Sequence, residues 1–328
     1  MRQTLVPAAL LIVITAVLYA PTLGYPFVYE DLNDSDVFLR QPALSDVRPT
    51  RALTEASLFV TRALFGGENP MGYHAGNVVV HLVNVALVLL VAWQWVPPVS
   101  ALLVALAFAV HPLNVEAVAY VSARSDLVSA SGVLLALLAA SLGSFAGAVC
   151  GVLLACLGKE TAVMAWGLVP LWAWATRSAF PVTRWMLLAA GVAGVGALVL
   201  SWPHVSVAFD AALIGRTSAA VWRLVSLVFV PVGLTIDHDW HGVPSWLQGL
   251  TVGGMVAATV AALGLLQSRG HWLALAWLAT MVWFLPRFVV PVSEGLHEHH
   301  MVIPSAVWLL CAGAWLSRSY FRAEYPSH

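Results

Sequence analysis

Apolar runs long enough to cross a bilayer follow one another from end to end of this chain, and that repetition decides its fold class before any motif is read. The runs cover 4–20, 75–96, 99–121, 126–142, 145–158, 161–176, 184–201, 246–266, 271–290 and 300–317. About 20 apolar residues in helical form span a hydrocarbon core of about 30 Å, so the pattern predicts about ten helices. The runs are continuous, which excludes the short alternating strands of an outer-membrane barrel. With 60% apolar and 9% charged residues, the chain lacks the polar surface of a soluble domain. The expectation is an all-α, polytopic transmembrane helical bundle forming one domain over 1–328.

Charge narrows the function classes. The net charge is −1 and no basic stretch could neutralise several phosphates in a row, so nucleic-acid partners are excluded. Cys150, Cys156 and Cys311 all fall inside apolar runs, where a free thiol behaves as a small hydrophobe. Arg2 precedes an apolar stretch whose end is poor in cleavage chemistry, so the stretch reads as a first helix rather than a cleaved signal.

Arginine placement predicts the topology. If 217–235 is a surface or re-entrant segment, Arg2, Arg177, Arg184, Arg269, Arg318 and Arg322 all fall on the cytoplasmic side, as the positive-inside tendency requires. Both termini are then cytoplasmic and the bundle has ten spans; whether 217–235 crosses stays open. The polar segments 22–74, 111–126, 158–160, 202–245 and 287–300 gather on the extracytoplasmic face. The segment 202–245 is expected to be extracytoplasmic or re-entrant.

Five constellations stand out on that face. The loop 22–74 is long enough to be functional, and it opens on Phe27-Val28-Tyr29-Glu30-Asp31, two adjacent carboxylates at a membrane boundary. A carboxylate poised where lipid meets water can act as general base on an acceptor hydroxyl. Between two apolar runs lie His111, Glu116, Arg124 and Asp126. At about 1.5 Å per residue, a helix starting near Val99 has climbed only about 18 Å at His111, so Glu116 is expected below the surface, with Arg124 its nearest cationic partner by sequence. Asp126 also sits where a helix starts and can serve as a cap.

Lys159, the one lysine of the chain, precedes Glu160 at a short turn, where it can anchor the helix or clamp a lipid-linked phosphate. His74, Asn77 and His81 stand at i, i+3 and i+7, hence on one helix face. Finally, Glu294, His297, Glu298, His299 and His300 crowd one segment, and Asp237, His238, Asp239 and His241 another. Such clusters could bind a divalent metal, although HExxH spacing is absent. Cofactor identity stays open.

Taken in order, these motifs resemble the membrane module of the GT-C glycosyltransferases that use polyprenyl-phosphate sugars, in particular the transmembrane and TPR-containing O-mannosyltransferases. The matching elements are Phe27 to Asp31, then Gly72, Tyr73, His74, Asn77 and His81. They continue with His111, Pro112, Glu116, Arg124, Asp126 and Leu127, then Lys159 and Glu160, and Pro231, Leu234 and Asp237. The TPR array is not part of the chain, and Glu298-His299 stands where that family tends to read Ala-Glu-Arg, with His299 or Arg287 as substitutes.

The resemblance implies inverting transfer of a hexose, such as mannose, from a polyprenyl-phosphate donor to a protein or glycolipid acceptor. Asp31 is the implied base, with Glu30 and Glu116 positioning hydroxyls. Arg124, Lys159 and Arg287 are expected to offset phosphate charge, with His74, Asn77, His81, His111, Asp126 and His299 lining the donor site. The implied location is a bacterial inner membrane, with the site facing the periplasm. A transporter or lipid flippase with an outward-facing anion cavity is the alternative.

Overall fold

A computed structural model describes residues 2–28, 31, 49–176, 178–180, 210–236, 238, 240, 242–266, 271–290 and 295–324. Among them there are helices and no strands. In chain order these are α1 (Arg2–Tyr19), α2 (Ala52–Phe65), α3 (Pro70–Ala92), α4 (Pro98–Ala109), α5 (Leu113–Ala119) and α6 (Arg124–Ser141). There follow α7 (Phe145–Gly158), α8 (Ala165–Thr176), α9 (Ala211–Phe229), α10 (Ser245–Leu266), α11 (Trp272–Phe284) and α12 (Val302–Glu324). Short 3₁₀ turns at Glu160–Met164, Leu285–Phe288 and Glu298–Met301 punctuate the polar end.

The all-helical membrane architecture holds, but the count of about ten spans is not reached. Among the described residues, 6 helices are long and apolar enough to cross, or 7 if the bent pair α4 and α5 is one span. The difference has local causes. The run 161–176 opens with a 3₁₀ turn, which leaves only 12 residues in α8, and α7 has 14. The run 184–201 lies outside the described residues. Ala211–Phe229, expected to lie on or re-enter the surface, passes the same test of length and composition. The inference that both termini are cytoplasmic rested on that segment not crossing, so the structure does not carry it.

The bend between α4 and α5, 61°, follows from Pro112. Proline has no N–H to donate and disfavours helix at the residue before it. In a continuous helix the carbonyl of Phe108 would accept from residue 112; here the Asn114 side-chain amide donates to it instead at 2.7 Å. Sequence thus breaks the span and also supplies the group that satisfies the broken ladder.

α6 and α7 pack antiparallel with almost no side chain between them. A Cβ on Gly132 would meet the Ala155 backbone N at 2.4 Å, and one on Gly151 would meet that of Ala136 at 2.6 Å. Close backbone approach through small residues is how helices associate in lipid, where no hydrophobic difference drives them together. At the polar end of this seam a Cβ on Gly158 would meet Ser129 N at 2.8 Å. The seam therefore fixes the last turn of α7 against the first turns of α6. Gly151→Val should cost about 3 kcal/mol, seen as a lower unfolding temperature in detergent, because neither backbone can move aside.

Candidate functional site

The chemistry-bearing residues converge where α3, α6 and α12 begin and where α5 and α7 end. Asp31 is only 3% exposed. Its Oδ1 accepts two hydrogen bonds from Ser122, from the backbone N–H at 2.9 Å and from Oγ at 2.7 Å. Its Oδ2 accepts a long one, 3.4 Å, from Val28 N–H, and the Val121 N–H also bonds to the carboxyl. Burial pushes the Asp31 carboxyl above the usual aspartate range, and the Ser122 bonds offset part of that rise. Among the described residues the firmest anchor is on Oδ1, where Ser122 holds it twice.

Four groups from four elements form a second cluster. Lys159 Nζ lies 2.7 Å from Asp126 Oδ2, with both side chains buried. Glu116 is gripped at both oxygens by His299: the backbone N–H donates to Oε2 at 2.9 Å, and Nδ1 lies 2.9 Å from Oε1. A carboxylate only accepts, so His299 Nδ1 carries the proton. The opposite ring nitrogen, Nε2, lies 3.9 Å from Asp126 Oδ2. Imidazole thus stands between two acids, and the α6–α7 seam positions the second of them against its lysine.

A third group follows in the same segment. Arg287 Nη2 meets His300 Nε2 at 2.6 Å. A guanidinium only donates, so Nε2 accepts, while Nδ1 of the same ring lies 3.0 Å from the His297 N–H and 3.3 Å from the His297 carbonyl. Glu298 Oε1 accepts from Thr235 N–H at 2.8 Å and lies 3.2 Å from His238 Nε2. The ring planes of His297 and His299 are 8° apart with centroids at 5.4 Å.

The expected pairing of Glu116 with Arg124 is corrected. The Arg124 guanidinium turns the other way and makes four hydrogen bonds, all to neutral acceptors. They are Asn77 Oδ1 at 2.7 Å, Ser57 O at 3.3 Å, Thr61 Oγ1 at 2.9 Å and Tyr73 O at 2.5 Å. Gly76 makes the room, since a Cβ there would lie 2.6 Å from Nη2. Asn77 in turn donates to the carbonyls of Val118 and Tyr120. Asp126 lies in the first turn of α6, but the partner its side chain finds is Lys159.

His74, Asn77 and His81 are all fully buried on the inward side of α3. His74 Nε2 lies 3.1 Å from Tyr25 O and His81 Nε2 lies 3.4 Å from Ala109 O, deeper among Tyr19 and Phe108. His111 lies 3.0 Å from Val228 O. Glu30, Asp237, Asp239, His241 and Glu294 lie outside the described residues. Among the described residues no group of three or more His, Cys, Asp or Glu is placed to hold a metal ion.

Two contributors escaped sequence reasoning. Ser122, which orients Asp31, carried only the weak signal of a hydroxyl in a polar turn. Arg51, inside the long loop, forms a two-pronged bond with Glu160, Nε to Oε2 at 2.7 Å and Nη2 to Oε1 at 2.5 Å. Burial pushes Glu160 up, but that fork, its charge and that of Lys159 outweigh it and hold the carboxyl at about 2.

A depressed folded value contributes stability above the unfolded 4.5 that is lost as pH falls toward about 2. Arg51→Gln should therefore destabilise by about 1–3 kcal/mol at neutral pH. The gap from the parent should close between pH 4.5 and about 2, measured by thermal unfolding in detergent.

Comparison with known proteins points the same way as the motifs. Over an alignment of 176 residues, 45% of this chain and 20% of the relative, it is 37% identical to Protein O-mannosyl-transferase Tmtc1 of Drosophila melanogaster. It is also 37% identical over 133 residues to Protein O-mannosyl-transferase Tmtc2 of the same organism, covering 34% of this chain and 14% of that protein. Against human Protein O-mannosyl-transferase TMTC4 the identity is 36% over 102 residues, 27% of this chain and 14% of the relative. The chain thus spans a fifth or less of the length of these relatives. No family model and no solved structure matches. The resemblance read from the ordered motifs is thereby shown, and the relatives' names do not favour a transporter.

Proposed function

We propose that this chain is an integral-membrane glycosyltransferase that moves mannose from a polyprenyl-phosphate donor to a protein hydroxyl, with inversion, at the extracytoplasmic face of a bacterial inner membrane. The observation that carries the reading is Asp31. It is a buried carboxylate with one oxygen fixed twice by Ser122 and the other held by a longer bond from Val28, at the same end of the bundle as the chain's one lysine.

In the proposed step the acceptor hydroxyl gives its proton to Asp31 Oδ2 while its oxygen attacks the anomeric carbon from the face opposite the phosphate. The bond from that carbon to the phosphate oxygen breaks, and its electron pair leaves with the phosphate. Lys159 and Arg287 offset the charge that develops there, as preorganised cations do best in a site that excludes water. Glu116, held by His299, orients sugar or acceptor hydroxyls. A transfer confined to the membrane boundary lets the lipid tail stay in the bilayer.

The test is direct. Purified protein in detergent, given a mannosyl-phospholipid and a Ser/Thr-containing peptide, should release lipid phosphate and mannosyl-peptide in equal amounts. Movement of the lipid or its head group across vesicles with no mannosyl-peptide formed would overturn the proposal.

A further inference from the structure

α5 ends at Ala119, and the way it ends decides where Asp31 is received. A helix leaves its last carbonyls without partners of its own, and a buried end must find them elsewhere. Val118 is fully buried, so its carbonyl is out of reach of water. Asn77, on α3, supplies the partner: its side-chain amide donates to Val118 O at 3.2 Å and to Tyr120 O at 2.9 Å. The orientation of that amide is fixed from its other side. Arg124 Nε lies 2.7 Å from Asn77 Oδ1, and a guanidinium only donates, so the oxygen faces Arg124 and both amide hydrogens face α5.

Past this cap Tyr120 is extended, with φ −94° and ψ 120°. A turn follows in which Ala123 N–H donates to Tyr120 O at 3.3 Å and Arg124 N–H to Val121 O at 3.0 Å. The N–H groups of Val121 and Ser122 point out of that turn, and both bond to the Asp31 carboxyl, with Ser122 Oγ beside them. Successive amides of this kind make an anion-binding concavity. Glu116 lies one turn back, its carbonyl accepting from Tyr120 N–H at 2.9 Å. One proposed acid thus rides on this helix of 7 residues and the other docks on its exit turn, with Asn77 clamping the join.

We propose that Asn77 is a positioning residue for sugar transfer: by capping α5 it fixes the turn that receives Asp31, and so the place of the base relative to Glu116, without touching substrate. Both amide hydrogens are committed to carbonyls, and the residue is 0% exposed. The inference rests on the transfer reading. Its expected size follows from geometry, because a misplacement of about 1 Å in a reacting group can cost on the order of 100-fold in rate.

Kinetics of the folded protein test it. In Asn77→Leu, neutral and of similar shape, kcat for mannosyl-peptide formation should fall about 10- to 100-fold, with KM for the mannosyl-phospholipid within about 2-fold of the parent. The acid limb of the pH profile should move to higher pH, because the Ser122 and Val121 bonds that favour ionised Asp31 loosen with the turn. Ser122→Ala should move it in the same direction. The double variant should lose less than the product of the two single losses, because both changes act on one contact. Should the Leu variant not fold, Asn77→Asp replaces it in the kcat and KM comparison and in the double variant: it keeps the oxygen that Arg124 needs and lacks both amide hydrogens. A raised KM with kcat unchanged would make Asn77 a residue that lines the donor site and would overturn the inference. Multiplicative losses in the double variant, or an acid limb that stays in place, would overturn it too. A parent protein that forms no mannosyl-peptide overturns the transfer reading itself, and the inference with it.

Discussion

Asp31→Asn should abolish sugar transfer, by about 100- to 10,000-fold in kcat/KM, while the protein stays folded and no less stable. The amide keeps the Oδ1 acceptor that Ser122 holds twice, so the local geometry survives. What is lost is the basic oxygen. The sign of the stability effect follows from the raised carboxyl: an acid whose folded value is raised favours folding when protonated. That contribution is present below 3.8 and lost as pH rises through the folded value, so the ionised group costs stability at neutral pH.

A neutral isostere removes the cost, and the melting temperature should hold or rise. If Asp31 is the proposed base, the same shift should place the acid limb of kcat/KM for the parent protein above the pH at which an ordinary aspartate titrates. Full transfer by the Asn variant would remove Asp31 from the chemistry.

The largest loss of stability is expected from Arg124→Leu, about 3–5 kcal/mol, read as thermal unfolding in detergent. The guanidinium draws together Ser57 and Thr61 of α2, Tyr73 and Asn77 of α3, and its own α6. Removing it strands four acceptors on two helices, α2 and α3, and unties both from α6. Arg124→Lys should recover only part of the loss, because a single ammonium cannot reproduce the planar fork. An unchanged melting temperature in the Leu variant would mean that the guanidinium serves a ligand rather than the frame.

What the sequence made legible and what it did not divide along physical lines. Continuous hydrophobicity announces membrane helices, and the i, i+3, i+7 register of His74, Asn77 and His81 announces one buried face, because both are properties of a single element. Breaks inside a run are harder to see. Lys159 and Glu160 read as a turn, but the 3₁₀ turn runs on from Glu160 to Met164 inside the apolar run 161–176 and shortens α8 to 12 residues.

Partners are hardest of all. Arg124 is eight residues from Glu116, but the acid is met by His299, because α5 and the start of α12 are neighbours only in space. α2 escaped for a different reason: its polar residues face inward, so the segment between Pro49 and Gly66 reads as loop to an eye expecting the opposite. The backbone seam of Gly132, Gly151 and Gly158 also leaves no periodic signal of its own, yet it sets the distance between Asp126 and Lys159.

The grip of His299 on Glu116 sets a clock for biogenesis. The two residues are 183 positions apart, whereas Asp126 and Lys159 are separated by 33. At about 5–20 residues per second, the lysine pair can close within seconds of synthesis, but Glu116 waits roughly 10–40 s for its partner to leave the ribosome. Through that interval the nascent bundle holds an unmatched acid near the membrane boundary, which water, lipid head groups or the insertion machinery must accommodate. The grip on Glu116 forms only as α12 arrives, so a bundle that has not yet reached α12 holds that acid without its histidine.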